Sequence, residues 1–430
     1  MLRKATIALV GFGNVGTGVV QILLEQRRQL RERVDLDLDL RWVVDADLGR
    51  RRPVRVPKAL LTDKREQALT DPCVDIVVEL VGGTGVAKDI VLEALRNGKS
   101  VVTANKALLA VHGEELFREA RRRGLSISYE ASVGGGIPII GAIRDGLVGN
   151  RIDAIEGILN GTSNYILTRM SEEGASYDEA LAEARRHGYA EPDPHLDVSG
   201  MDAAHKLVIL ARLGFGLRDV RLRNVSVEGI AHIDREDVRN AGDLGYAVKL
   251  LAIGKRRGGA VELRVHPTLI PQNNPLASVR GIFNSIIVMA SNAGETMYYG
   301  RGAGRLPTAS AVVADIVDVA LGRARFTFEA LYSREATREA RVVPMADVVS
   351  RYYLRIPVVD RAGALARISA VLGRHGVSIA SVVQREHTRR VVPVVMMSHA
   401  VREGDLRKAL THLERLPVVK GKPLYYRVEG

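Results

Sequence analysis

The sequence predicts an α/β protein in three parts: a doubly wound, Rossmann-like nucleotide-binding domain, a mixed α+β domain, and a C-terminal ferredoxin-like βαββαβ unit. Three observations carry this. Short apolar strands alternate with amphipathic helices through the first third, and a glycine loop, GFGNVG, joins the first strand to the first helix. From about residue 351 the chain reads strand, helix, strand, strand, helix, strand. At 430 residues it also exceeds what one hydrophobic core organises.

Taken in order, ATIALV is a strand, VGTGVVQILLEQRRQL has helical spacing, and LDLDLRWVV and VDIVVEL are strands. VAKDIVLEALRNG is an amphipathic helix closed by Gly98, and KSVVTA, ALLAVHGEELFREARRRG and LSISYE repeat the cycle. The dinucleotide-binding domain is therefore expected over 1–135. Longer strands (AIEGIL, YAVKLLAIGKRR, AVELRVHPTLI, SIIVMASNAGETMYYG) and polar helices (NYILTRMSEE, YDEALAEARRHG, MDAAHKLVILARLG) define a second domain, 136–305. A helix at about 306–322, after the turn RGAGRLP, is expected to pack back on the first domain. Residues 323–350 read as a linker and 351–430 as the βαββαβ unit.

Composition excludes several classes. The net charge of +12 sits in arginine clusters at the polar ends of apolar-striped helices, and with only 4% aromatic residues stacking platforms are scarce, so no nucleic-acid partner is expected. A milder reading is that the positive field draws in an anionic cofactor. No apolar run reaches the roughly 20 residues that span a bilayer, so no membrane partner is expected and the localisation is read as cytoplasmic. Cys73 is the only cysteine, which removes disulfides and multi-cysteine metal sites.

The chemistry begins at Gly11, Gly13, Asn14, Val15 and Gly16. The glycines permit a tight turn, and the helix that follows offers N–H groups to a pyrophosphate. The second strand ends at Asp45, whose carboxylate suits ribose hydroxyls and leans toward NAD; Arg50, Arg51 and Arg52 just beyond would suit the 2′-phosphate of NADP. A nicotinamide means hydride transfer, and reducing an aldehyde calls for a proton donor where charge grows on oxygen. Lys106 stands at the C-terminal end of a parallel strand, and Lys206 stands one helical turn after Asp202. Alone, Asp202 and Lys206 are a surface ion pair. The preceding loop, GYAEPDPHLDVSG, adds Glu191, Asp193 and Asp197, a cluster suited to a substrate ammonium group and to holding a lysine in place. His195 and His205 lack metal-ligand spacing and are read as structural or solvent-facing. In NGTSN, Thr162 or Ser163 is expected to cap a helix.

The runs GFGNVG, VVTANKALLA, YEASVGGGIPII, GILNGTSNYIL, GYAEPDP, DVSGMDAAHKL and GAGRLPTASAV together resemble homoserine dehydrogenases, up to about residue 320. The stretch IPVVDRAGALARISAVLGRHGVSIASVVQRE resembles an ACT domain, an amino-acid-sensing module. The resemblance implies NAD(P)-dependent interconversion of L-homoserine and L-aspartate 4-semialdehyde in threonine, methionine and isoleucine biosynthesis. It implies Lys206 as proton donor, Glu191 and Asp202 against the substrate, Asp197 orienting the lysine, and Lys106 at the junction of nicotinamide and substrate with a share in proton transfer. It adds Asn105, Gly188, Gly302 and Ala303 to the cofactor contacts. It also implies a monovalent cation, sodium or potassium, on carbonyls of Glu130, Val133, Gly135 and Ile137, a homodimer or higher homo-oligomer, and an amino-acid effector, with threonine first among the candidates. The turn Asp360-Arg361-Ala362-Gly363 offers N–H groups for an effector carboxylate. Asp45 departs from the resemblance, since many NADP-preferring relatives carry a basic residue there. Two rival readings stand beside this one. A semialdehyde dehydrogenase acting through a thiol would have to use Cys73, which leads into a strand at the wrong end of the sheet; a non-catalytic nucleotide and amino-acid sensor has no use for the lysines and carboxylates.

Overall fold

The computed structural model describes residues 3–217, 219–332, 341–385 and 390–430. The chain divides into two compact units: Met1–Ile155, Ala204–Asn224 and Phe283–Ala340 in the first, and Glu156–Ala203, Val225–Ile282 and Arg341–Gly430 in the second. These do not coincide with the sequence-based boundaries, because packing gathers segments that lie far apart in the chain.

The first unit is built on six parallel strands: β1 (Arg3–Val10), β2 (Leu36–Val44), β3 (Leu61–Thr62), β4 (Ile76–Glu79), β5 (Ser100–Thr103) and β6 (Ile127–Ser128). Their order is β3-β2-β1-β4-β5-β6. The winding reverses between β1 and β4, which opens a crevice at the carboxyl ends of the strands. Ile7, Leu9, Ile76 and Val78 are fully covered, as a sheet with helices on both faces requires. Helix Arg305–Ala320 packs directly on helix Asn14–Glu25. The approach is close enough that a Cβ on Gly18 would lie 2.6 Å from Arg305 O and 2.9 Å from Ala309 Cβ. Val19, Leu23, Val312 and Ile316 fill the contact, and burying each contributes roughly 1.5–3 kcal/mol. The segment 323–350, expected as a linker, opens instead with helix Arg323–Tyr332, whose buried Phe328 meets Phe117 edge-on at 5.7 Å. Phe326 and Phe328 alternate at a strand-like period, which hid the helix from pattern reading. Residues 333–340 fall outside the described residues.

In the second unit the ACT-like order holds: Val349–Val359, helix Ala364–Arg374, Ile379–Val383, Val391–Ser398, helix Glu403–Glu414 and Leu424–Val428. Tyr352, Leu354, Ile356 and Val358 turn to the helices and meet Ile368, Leu372, Leu406 and Leu410. Strand Leu424–Val428 pairs with Val349–Val359 on one side. On the other it runs parallel to Ala260–Pro271, with Thr268 opposite Arg427 and Leu269 opposite Val428. The sheet of the C-terminal unit therefore continues through Ala260–Pro271 into Tyr246–Arg257. Buried charges lock this seam. Arg427, 1% exposed, pairs with Glu403 and Glu228, while Arg264 and Lys255 both pair with Glu429.

Candidate active site

The glycine loop is spent in three ways. Gly11 has φ +105° and its missing Cβ would lie 2.6 Å from Leu80 C; Gly16 would meet Gly11 O at 2.1 Å. Both exist for internal closeness. Gly13 faces open space, with nothing within 4 Å of a built Cβ, and stands as N-cap of helix Asn14–Glu25 with no side-chain partner. That is the point where a pyrophosphate can approach backbone N–H groups.

Asp45, at the end of β2, accepts from Phe12 N at 2.7 Å and Asp47 N at 2.9 Å, and pairs with Arg52 at 3.1 Å. Arg52 in turn donates to the carbonyls of Phe12, Arg50 and Asp47, and lies 4.6 Å over the Phe12 ring. The two side chains brace the loop between them. Arg50 and Arg51 stay exposed.

Sequence reading missed the rack behind Lys106. Glu79, fully buried at the end of β4, accepts from Thr103 Oγ1 at 2.6 Å, Val81 N at 2.8 Å and Gly82 N at 3.3 Å. Thr103 Oγ1 also accepts Asn105 N–H. Asn105, named as a cofactor contact, caps helix Lys106–Arg122 through Leu108 N and donates to Gly83 O at 2.7 Å. Lys106 is thus the first residue of a firmly capped helix at the carboxyl edge of the sheet. A carboxylate ending an apolar strand, in VDIVVEL, was the available signal. Exposed Cys73 precedes β4 and so lies at the other edge.

Glu130, Val133, Gly135 and Ile137 lie on the turn after β6. The Glu130 carboxylate accepts from Ile140 N and Gly141 N, and Asp315 accepts Glu130 N–H at 2.8 Å. Burial pushes both carboxyls above the usual carboxylate range, and the Glu130 charge adds to the effect on Asp315. Gly134 and Gly135 have φ of +72° and +54°, and Gly135 would clash with Gly302 O at 2.6 Å if it bore a Cβ. Gly136 N–H donates to Arg301 O, so this loop is stacked on the Gly302–Ala303 turn.

In the second unit Asp197 of the polar loop and Asp202 of the helix after it converge on one residue. Asn160 Nδ2 reaches Asp197 Oδ1 at 2.7 Å and Asp202 Oδ2 at 2.9 Å, while its Oδ1 accepts Ser163 N–H. Asn160, not Thr162 or Ser163, is the cap of helix Gly161–Glu173. Those hydroxyls instead tie down the loop, Thr162 to Tyr189 O and Ser163 to Asp197 O. A side chain one residue before the helix, free to accept, caps better than one already inside it. Asp202 is 4% exposed and Lys206, one turn on along helix Met201–Phe215, is 7% exposed. Glu191 and His195 are exposed, and Gly188 ends a helix with φ +71°.

Family models match this arrangement along most of the chain. The model for the homoserine dehydrogenase NAD-binding domain matches residues 11–130, that for homoserine dehydrogenase residues 138–317, and that for the ACT domain residues 352–418. A Synechocystis protein named homoserine dehydrogenase is 43% identical, over 98% of this chain and 99% of its own. The crystal structure of a homoserine dehydrogenase from Thiobacillus denitrificans superposes with a TM-score of 0.90 at 40% identity, covering 99% and 98% of the two chains. The chain belongs to the homoserine dehydrogenase family. It is an NAD(P)-dependent oxidoreductase with a C-terminal ACT domain. A hyperthermophilic archaeal homoserine dehydrogenase mutant solved in complex with NADPH is also similar, with a TM-score of 0.61 and 27% identity over 74% of this chain and 98% of its own.

Proposed function

We infer that this chain interconverts L-homoserine and L-aspartate 4-semialdehyde. The observation that carries the reading is the joining of Asp197 and Asp202 through Asn160, one helical turn before a buried lysine, in a chain with relatives of this name over its full length. Two carboxylates and an amide so placed suit an amino-acid ammonium group. In this reading Lys206 gives a proton to the forming hydroxyl oxygen, or takes it in the reverse direction. Asp197 holds the lysine, Glu191 and Asp202 bind substrate, and Lys106 shares in proton transfer beside the nicotinamide. The nicotinamide, when bound, supplies or accepts the hydride. Gly13, Asn14 and Val15 hold its pyrophosphate, with Asn105, Gly188, Gly302 and Ala303 as further contacts. A direct assay of homoserine oxidation with NAD and with NADP tests the reading, and lack of turnover with both sinks it.

For cofactor choice, Asp45 serves as a brace for Phe12 and Arg52 in this reading, and exposed Arg50 and Arg51 take the 2′-phosphate, so NADP is used as well as NAD. The turn at Glu130, Val133, Gly135 and Ile137 fits sodium or potassium: it offers neutral carbonyl oxygens on a backbone bent by two positive-φ glycines, with two buried carboxyls near it. Bound there, a cation would fix the loop that stacks on Gly302. A homodimer is supported by strand Gly294–Arg301, where Met297 and Tyr299 are large, apolar and exposed; a monomer in light scattering would end that reading. The ACT domain supports feedback by an amino acid, with threonine the leading effector.

A further inference from the structure

A cavity of about 170 Å³ lies between helix Arg235–Asp243 and the ACT sheet. It opens on the sheet face opposite the two ACT helices, because Val395 alternates with Val394 and Met396 of the ACT core. One wall is polar, with Glu236, Arg239, Asn240 and Asp243 from successive turns of the helix. The floor is apolar, with Val383, Pro393 and Val395 from two strands. Arg385 closes the rim by pairing with Asp243 at 2.5 Å. The walls are held firmly: buried Asp237 accepts from Arg355 at 2.6 and 2.8 Å and from the Tyr353 hydroxyl at 2.9 Å.

The space is comparable to a cavity of about 150 Å³ that admits benzene, so it suits a small molecule and is too small for a nucleotide. Charges of both signs over an apolar floor match a zwitterion with a short side chain: Arg239 and Arg385 for its carboxylate, Glu236 and Asp243 for its ammonium. The same helix leads toward the chemistry. It packs on helix Gly161–Glu173, whose cap is Asn160. The segment before it donates from Ile230 N to Val198 O at 2.8 Å, next to Asp197.

We propose that this cavity, and not the Asp360–Gly363 turn, is the effector site, and that it takes a short-chain L-α-amino acid whose carboxylate displaces Asp243 from Arg385. The proposal rests on the regulatory reading above. A bound ligand changes activity only through unequal affinity for two arrangements of this helix, and its shared packing with the Asn160 helix provides the route.

The test uses the full chain, with calorimetric titration and homoserine oxidation measured against L-threonine, L-valine, L-isoleucine and L-methionine. Arg239→Ala removes one carboxylate partner, Val383→Phe fills the floor, and Asp360→Ala alters the turn. The expected result is binding weakened about tenfold or more by Arg239→Ala and lost in Val383→Phe. Basal kcat/KM should stay within about twofold in both, and Asp360→Ala should bind as the unmodified enzyme does. Binding that survives both cavity variants overturns the site but leaves regulation standing. If none of the four amino acids binds or inhibits the unmodified enzyme, the regulatory reading itself fails and the proposal with it.

Discussion

Asn160 holds Asp202 by a 2.9 Å hydrogen bond from the same amide nitrogen that holds Asp197 at 2.7 Å. Two carboxylates this close repel, and the shared donor offsets part of that repulsion. Asn160→Asp puts a third carboxylate there and should lower kcat/KM by about a hundredfold, a loss of roughly 2.7 kcal/mol in transition-state stabilisation. Fluorescence titration should show cofactor affinity nearly unchanged. An active Asn160→Asp enzyme would remove this pair from the mechanism.

Lys206→Ala should abolish most turnover while leaving nicotinamide binding intact, since the lost group acts on charge that develops only in the transition state. Lys206→Arg should rescue poorly, because a guanidinium does not readily release a proton. Full activity in Lys206→Ala, with Lys106→Ala inactive, would transfer the donor role to Lys106.

Asp45→Arg should raise KM for both NAD and NADP, because it breaks the bonds to Phe12 N and Asp47 N and places a second cation against nearly buried Arg52. Arg51→Ala should weaken NADP alone, by roughly tenfold. Steady-state kinetics with each cofactor separate the two effects, and an Asp45→Arg enzyme that gains NADP activity contradicts the bracing role.

Burial brings the Lys249 ammonium down to about 8 from 10.5. It donates to Val279 O at 2.5 Å and Asn164 Oδ1 at 3.2 Å, bonds that a neutral amine also makes. Between pH 8 and 10.5 the unfolded chain holds the proton that the folded chain has released, so this group makes stability rise with pH across that window. The gain is on the order of 3 kcal/mol. Denaturant unfolding at several pH values should show it, and Lys249→Met should flatten the slope. An unaltered slope in that variant assigns it elsewhere.

Removing residues 345–430 should not yield a well-folded dehydrogenase. Strand Ala260–Pro271 would lose a partner, and Arg264 and Lys255 would lose Glu429. Arg264 would keep Glu262 and Lys255 would keep Glu156, so the loss falls at or below the roughly 3–5 kcal/mol of a fully broken buried pair. The truncated chain should aggregate or melt roughly 10 °C or more below the full chain in a thermal scan. A soluble, active product with an unchanged melting point would show the seam to be dispensable.

The sequence made the parallel sheet and the βαββαβ order legible because both rest on local periodicity and glycine punctuation, as in Arg3–Val10 followed by Gly11–Gly16. The seam was not legible. Nothing in KPLYYRVEG distinguishes an outer strand from one whose Arg427 is paired with Glu228 across another segment, since the partner lies far away in the chain. The same holds for Asn160, which read as part of a polar turn. Its cap role follows from position, but its grip on Asp197 and Asp202 depends on where a separate loop folds back. Asp45 shows the reverse case: the residue was singled out, and its bonds to Phe12 N and Asp47 N and its pairing with Arg52 could not be read from the sequence.

The parallel pairing of Leu424–Val428 with Ala260–Pro271 also sets an order of events during synthesis. Strand Ala260–Pro271 leaves the ribosome long before its neighbour exists, and until then Arg264 and Lys255 lack Glu429 and the strand edge is open to other chains. Contacts so distant in sequence form late and slowly. The nascent chain is therefore exposed to misassembly until its last strand arrives, and refolding from denaturant should lose material to aggregation as protein concentration rises.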